Sequence, residues 1–264
     1  MSEHRLLAVT FPRVLAAEWS KLTSVSSTLW IAAGTVVSTV ALAFGLGLFV
    51  RSGDTVSGAS LAVSGSLFAQ VGMLVLGALV GAGEFSTGTS MATFAAVPRR
   101  LPVLAAQTLV TAAVALLTAV VALVASILAT APARSAAGLT LEFADAGTVR
   151  VLAGFVLYLT GVAVLGIGLG ALVRRPAGAL VTGVVALVVV DQLLATNPGR
   201  VTDVLRAASP ASGTRLFADD ATLAALTGGP APDLGARGGG LVFAAWVIAV
   251  LAGAAYRLRR YDVT

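Results

Sequence analysis

An all-α polytopic membrane fold is the expectation this sequence sets, and three observations carry it. Of its 264 residues, 58% are hydrophobic and only 11% charged, whereas a soluble globular domain carries about 25% charge. The apolar residues gather in six runs of about 20, the length at which a helix crosses roughly 30 Å of hydrocarbon. Those runs are continuous, without the short alternating segments of a barrel, so each satisfies its backbone polar groups as a helix. Composition also sets exclusions. There is no cysteine, hence no disulfide and no thiolate metal site. The single histidine, His4, cannot make a metal cluster or a histidine proton relay alone. The formal charge of +5 is read through membrane topology and not as a nucleic-acid footprint.

Residues 1–27 form a polar lead whose length does not suit a cleavable leader, and none is expected. On a helical wheel Phe11, Leu15, Trp19 and Leu22 fall in one stripe, with Arg13, Ser20, Lys21 and Ser24 opposite. That pattern predicts an interfacial amphipathic helix, with Trp19 at headgroup level. Six spans follow, at about 28–50, 61–83, 103–130, 151–173, 177–195 and 241–256, making a membrane region over 28–256 and a tail at 257–264.

Orientation follows from the basic residues. One side collects Arg5, Arg13, Lys21, Arg99, Arg100, Arg174, Arg175, Arg257, Arg259 and Arg260 against four acids, Glu3, Glu18, Glu84 and Asp262. The other side holds seven arginines and eight acids. The positive-inside rule then places both termini in the cytoplasm, and an even number of spans agrees.

Between the second and third spans lies 83–102, GEFSTGTSMATFAAVPRRLP. Ser86, Thr87 and Thr89 are cap-type residues, Glu84 suits the positive end of a helix, and Pro98 ends it before Arg99 and Arg100. Burying its three charges in hydrocarbon would cost about 2.5–3.5 kcal/mol each, so a short helix at the water boundary is expected. On the opposite side are the loops 51–60 and 131–150 and a long segment, 196–240. Within the last, short helices are expected at Val201–Ala208 and Thr222–Leu226, with Asp219 and Asp220 placed to cap the second. Gly228, Gly229, Pro230, Pro232 and Gly238–Gly240 break the chain around them, and the segment is expected to form a lid. Gly77 with Gly81, and Gly166 with Gly170, form small-xxx-small motifs, and Gly154, Gly161 and Gly168 recur every seven residues. Packing within the chain is the expected use, with the fourth span inside the bundle.

The spans hold almost no ionisable groups. Asp191 stands near the end of the fifth, and Gln70 and Gln107 are the notable polar side chains. An ion-coupled transporter usually places carboxylates or broken helices at mid-membrane. A phosphate-binding loop needs GxxxxGK[ST], but the one lysine, Lys21, follows no glycine loop. The glycines at 166, 168 and 170 lie inside an apolar run, where a dinucleotide loop has no place. Neither a nucleophile elbow nor an intramembrane His–Asp pair appears. The chain is therefore not expected to be an enzyme, to bind a metal or to carry its own energy source.

Two stretches resemble a known family. VLAAEWSKLTSVSSTLW before the first span, and GEFSTGTSMATFAAVPRRLPVLAAQ between the second and third, are similar to the corresponding parts of bacterial ABC-2 type transporter permeases. Six spans, cytoplasmic termini and the long segment before the last span extend the resemblance to essentially the whole chain. It implies the ABC-2 permease fold and the membrane-spanning half of an ATP-driven exporter in the bacterial plasma membrane. ATP and Mg would be bound by a partner ABC ATPase, and a second permease subunit would complete a homodimer or heterodimer. Phe11–Leu22 would be the connecting helix, and 84–102 would carry a coupling helix at about Glu84–Val97. That helix would set Glu84, Phe85, Thr87, Gly88 and Thr89 nearest the ATPase, with Arg99 and Arg100 anchoring it. Phe68, Gln70 and Asp191 would line the pathway. Two positions depart from the family: Phe85-Ser86 replaces a basic or Tyr-Arg pair, and Gln107 stands where many relatives have lysine. A membrane scaffold or sensor recruiting a cytoplasmic partner, and a secondary transporter, are the alternative readings.

Overall fold

The computed structural model describes residues 10–53, 56–86, 100–197, 199–227 and 234–260. Among them there is no strand, and six helices are long and apolar enough to cross a membrane. The chain is an all-α, multi-pass membrane protein. Helix α1 (Phe11–Ser24) precedes the first spanning helix α2 (Ser26–Gly47). A short α3 (Gly58–Ala62) leads into α4 (Ser66–Ser86), and α5 (Arg100–Ala137) and α6 (Ala146–Val173) follow. The fifth span, α7 (Pro176–Ala195), contains a π turn at Val185–Val189. Next come α8 (Arg200–Ala208), a 3-10 helix (Pro210–Phe217), α9 (Asp220–Thr227) and the last span α10 (Gly235–Arg260).

Several boundaries differ from the expected ones, for local reasons. The second span begins at Ser66 because the chain turns at 63–65, where Gly65 presses on the Thr39 carbonyl of α2. Helix α5 continues through Pro132 to Ala137. Proline lacks the N–H that would bond four residues back, and Arg134 Nη2 donates to the nearby Ile127 carbonyl at 2.7 Å. Gly238–Gly240 belong to the first turns of α10 instead of breaking the chain, because a Cβ at Gly239 would meet Ser212 O at 2.5 Å. Helix α6 is capped by Asp145, whose Oδ2 accepts from Thr148 N at 2.7 Å. It closes at Arg174, the one described non-glycine residue with a left-handed backbone, φ 59°.

In α1 the residues that turn inward are Val14, Glu18 and Leu22, spaced four apart as one helix face requires. Val14 packs with Val103 and Ala106 of α5, and Glu18 accepts from Lys21 Nζ at 2.6 Å. Of the expected stripe, Leu22 is buried and Leu15 half-buried, while Phe11 and Trp19 stay exposed. The stripe therefore splits between the bundle and its surroundings.

The bundle is built around α6, the most buried of the six spans. Its 28 residues reach about 42 Å, and it meets α4, α5, α7, α10 and the 3-10 helix. Contact is most extensive with α4, through the two glycine pairs. A Cβ on Gly77 would overlap the Ala163 carbonyl, and one on Gly81 the Ile167 carbonyl. Reciprocally, a Cβ on Gly166 would lie 2.9 Å from Leu74 O, and one on Gly170 2.7 Å from Ala82 N. The helices touch backbone to backbone, as small-xxx-small motifs permit, and they do so within one chain. The seven-residue repeat on α6 faces other neighbours: Gly154 lies under Leu216, Gly161 under Phe243 and Gly168 under Val250.

Gly77→Val should lower stability in detergent by about 1–3 kcal/mol, the usual cost of overpacking. At exposed Gly34 a Cβ would meet nothing within 4 Å. Gly34→Ala should therefore be neutral or stabilising by up to about 1 kcal/mol. Chemical unfolding of both variants measures the difference, and equal effects would refute a tight α4–α6 joint.

Candidate functional site

The segment between α7 and α10 is expected as a surface lid, but part of it enters the bundle. Pro210, Ala211, Ser212, Gly213 and Arg215 of the 3-10 helix are buried. At one end Ala218 O accepts from Arg150 Nη1 at 2.8 Å. At the other, Gly213 fits under Phe243 and Tyr158, where a Cβ would come within 2.7 and 2.9 Å of their rings. The helical rise from Arg150 to Tyr158 is roughly 12 Å, so the segment plugs the bundle to that depth. Such backbone is tolerated at membrane depth only where protein surrounds it. Ser212 Oγ donates to Ser209 O at 2.8 Å and Thr214 Oγ1 to Ala211 O at 2.8 Å, supplying bonds locally.

Aromatic rings clasp this plug. Phe217 meets Phe155 edge-on at 5.9 Å and Tyr158 at 5.3 Å, and Tyr158 meets Phe243 at 5.1 Å. Tyr158 is fully buried and donates its hydroxyl to Gln70 Oε1 of α4 at 2.6 Å. Gln70 is itself 7% exposed, so one buried hydrogen bond joins α4 to α6 at the ring on which the plug rests.

Ion pairs and caps hold the rest of the segment. Asp191 of α7 takes Arg206 of α8 in a two-pronged pair, Nε to Oδ1 at 2.7 Å and Nη2 to Oδ2 at 3.2 Å. That hydrogen-bonded carboxylate holds the Arg206 guanidinium above its ordinary range, against the opposing effect of burial. The π turn two residues earlier inserts an extra residue and so resets the face on which Asp191 emerges. Trp246 Nε1 of α10 donates to Ala208 O at 2.9 Å. Asp220 takes Arg150 Nη2 at 2.7 Å. Asp219 accepts from Thr222 N at 2.9 Å, capping α9 as expected, and from Ser57 Oγ at 3.0 Å. Burial alone would push Asp219 up, but the hydrogen bonds from Thr222, Ser57 and Ser60 outweigh it and hold the carboxyl below the usual carboxylate range.

Between the plug and the start of α4 lies a polar cavity of about 280 Å³, lined by Ser60, Ser64, Ser66, Arg206, Arg215 and Asp219 among others. Two guanidinium groups, the Asp219 carboxylate and three serine hydroxyls line it, and the Arg206 guanidinium is already paired with Asp191. The charge-poor spans signalled no such place, because both arginines arrive from the connecting segment. Of the expected pathway residues, Gln70 and Asp191 are engaged as described. Phe68 is exposed on α4 and, two residues before Gln70, points to the other side of the helix. Tyr158, Arg206, Arg215 and Phe217 were not singled out by the sequence. A lone tyrosine inside one apolar run, with a glutamine inside another, was the available signal.

At the opposite end of the bundle, α4 closes at Ser86 and α5 begins at Arg100. Thr87, Gly88, Thr89 and Arg99 lie outside the described residues. Glu84 and Arg100 belong to the ends of α4 and α5. Phe85 packs on Leu104, Ile167, Ala171, Ala254 and Leu258, with the Arg174 guanidinium 5.1 Å from its ring centroid. Phe85 therefore turns toward the bundle and ties the end of α4 to α5, α6 and α10. Arg257 donates to the Leu172 carbonyl beside it.

Tyr158→Phe should cost about 1–3 kcal/mol, since it leaves the buried Gln70 oxygen unpaired. Adding Gln70→Leu should recover part of that loss, and a double-mutant cycle by chemical unfolding reads the coupling. Because Asp219 is depressed when folded, its stabilisation is present above the ordinary aspartate range and is lost as pH falls through its lower folded value. Asp219→Asn should remove this acid-side dependence, as measured by unfolding across pH 2–6 on the two proteins (an order-of-magnitude window of about two units either side).

Compared with models of known protein families and with curated proteins, the chain gives no match.

Proposed function

We propose that this chain is the permease subunit of an ATP-binding cassette exporter of the ABC-2 kind. In this reading a separate ATPase, which binds ATP and Mg, docks on the segment 84–102. The end of the bundle that carries Phe85, Arg174 and Arg257 faces the cytoplasm, and a second permease subunit completes the pathway. The sequence resemblance of residues 14–30 and 83–107 to such permeases supports it.

The observation that carries the mechanism is the course of α4. One end of this helix runs into the segment 84–102, and near its other end Gln70 holds Tyr158 at the base of the plug. Between the two ends, α4 is locked to α6 by backbone contact at Gly77 and Gly81. A push on the segment is then carried along a stiff helix pair to the plug instead of being absorbed by side chains. Moving the 3-10 helix away from Tyr158 opens the bundle at the far end, next to the polar cavity. The chain's part is to conduct and to be moved, and ATP hydrolysis belongs to the partner.

The protein extracted from its native membrane should bring an ATPase with it. Glu84→Ala should lower transport-linked ATP hydrolysis by about fivefold or more, the low end of ordinary coupling energies. Because the chain has no cysteine, Ser57→Cys with Asp219→Cys gives a clean crosslink between α3 and the segment behind the plug. Oxidation should stop that hydrolysis and a reductant should restore it. Purification without an ATPase, together with uptake driven by an ion gradient, would overturn the proposal.

A further inference from the structure

On the side of the plug away from the polar cavity, α6 and α10 enclose an apolar groove of about 570 Å³. Leu157 of α6, Leu216 of the plug, and Leu241, Val247 and Ile248 of α10 line it, and among the described residues its one charged lining residue is Arg237. Leu157, Leu241 and Ile248 are well exposed, so the groove opens sideways from the bundle. Arg237 is also exposed, and it makes no ion pair or hydrogen bond among the described residues. It sits in the first turn of α10, where no acidic residue stands and the helix dipole adds positive potential.

Length and charge together identify an occupant. From Arg237 to Ile248 the helix rises about 16 Å, close to half of the roughly 30 Å hydrocarbon core. The groove is therefore as long as one leaflet is deep. It has a cation at the end where headgroups lie and apolar side chains along the rest. We propose that it holds an acyl chain of an anionic phospholipid from the leaflet at the plugged end, with the lipid phosphate on Arg237. A lipid seated there touches Leu216 directly and so supports the plug from the membrane side. This inference uses only the groove and does not depend on the transport reading.

The test is native mass spectrometry of the full chain in mild detergent, after incubation with phosphatidylglycerol or phosphatidylcholine of equal chain length. Phosphatidylglycerol should be retained over phosphatidylcholine by about fivefold, the worth of one arginine beside an anionic headgroup. Arg237→Gln should abolish that preference, lowering phosphatidylglycerol retention more than phosphatidylcholine retention. Ala244 lines the groove and is exposed. Ala244→Trp should fill the groove and lower retention of both lipids, with thermal unfolding confirming that each variant folds. The proposal fails if the native chain shows no preference, if the preference survives Arg237→Gln, or if Ala244→Trp changes nothing. It also fails if Ala244→Cys crosslinks efficiently between copies in membrane vesicles, because a second chain would then cover the groove.

Discussion

Backbone contact between α4 and α6 is the constraint on which the other arrangements depend. Four glycines let the two helices approach until carbonyl oxygens and Cα atoms touch. In a bilayer there is little hydrophobic gain in bringing apolar helices together, so close van der Waals packing has to supply the attraction. Once α4 and α6 are joined, α2 packs on α4 and α5, α5 and α10 pack on α6, and α7 packs on both α4 and α6. Gln70 and Tyr158, on the two joined helices, then come within hydrogen-bonding reach.

The same constraint explains the plug. A 3-10 segment exposed to lipid would leave polar backbone unsatisfied at several kcal/mol per group, an order-of-magnitude cost that no loop of this size can carry. Here the segment enters a space between α6 and α10 that Gly154, Gly213 and Gly239 make wide enough, and rings from Phe155, Tyr158, Phe217 and Phe243 close around it. Its anchors differ in kind. The base is aromatic and dry, whereas the rim is held by Asp191–Arg206, Arg150–Asp220 and Asp219–Ser57, all partly open to water. Partly exposed ion pairs contribute only modestly to stability, so the rim is the weaker attachment.

The two ends of the bundle are unlike each other. At one, a polar cavity and an apolar groove lie on opposite sides of the plug. At the other, Phe85, Leu104, Ile167, Ala171, Ala254 and Leu258 form a separate small core that draws four helix ends together. Arg174 accepts a left-handed backbone there, at a cost on the order of 1–2 kcal/mol, and its guanidinium lies against the Phe85 ring. The end of α4 is thus fixed against three other helices.

Much of this architecture was legible in the residues alone. The count of spans, the helical class, the use of Gly77, Gly81, Gly166 and Gly170 inside the chain, and the cap at Asp219 all follow from local spacing and burial. Each depends on neighbours a few positions apart or on the length of an apolar run. The plug does not follow in that way. Pro210–Phe217 reads as loop because its serine, threonine and arginine are polar, and only the space left between α6 and α10 makes it interior. Gln70 and Asp191 read as open polar groups, yet Tyr158 lies 88 positions from the first and Arg206 lies 15 from the second. Sequence sets what each helix must hide from water, whereas which polar groups meet inside is decided by how closely the helices pack.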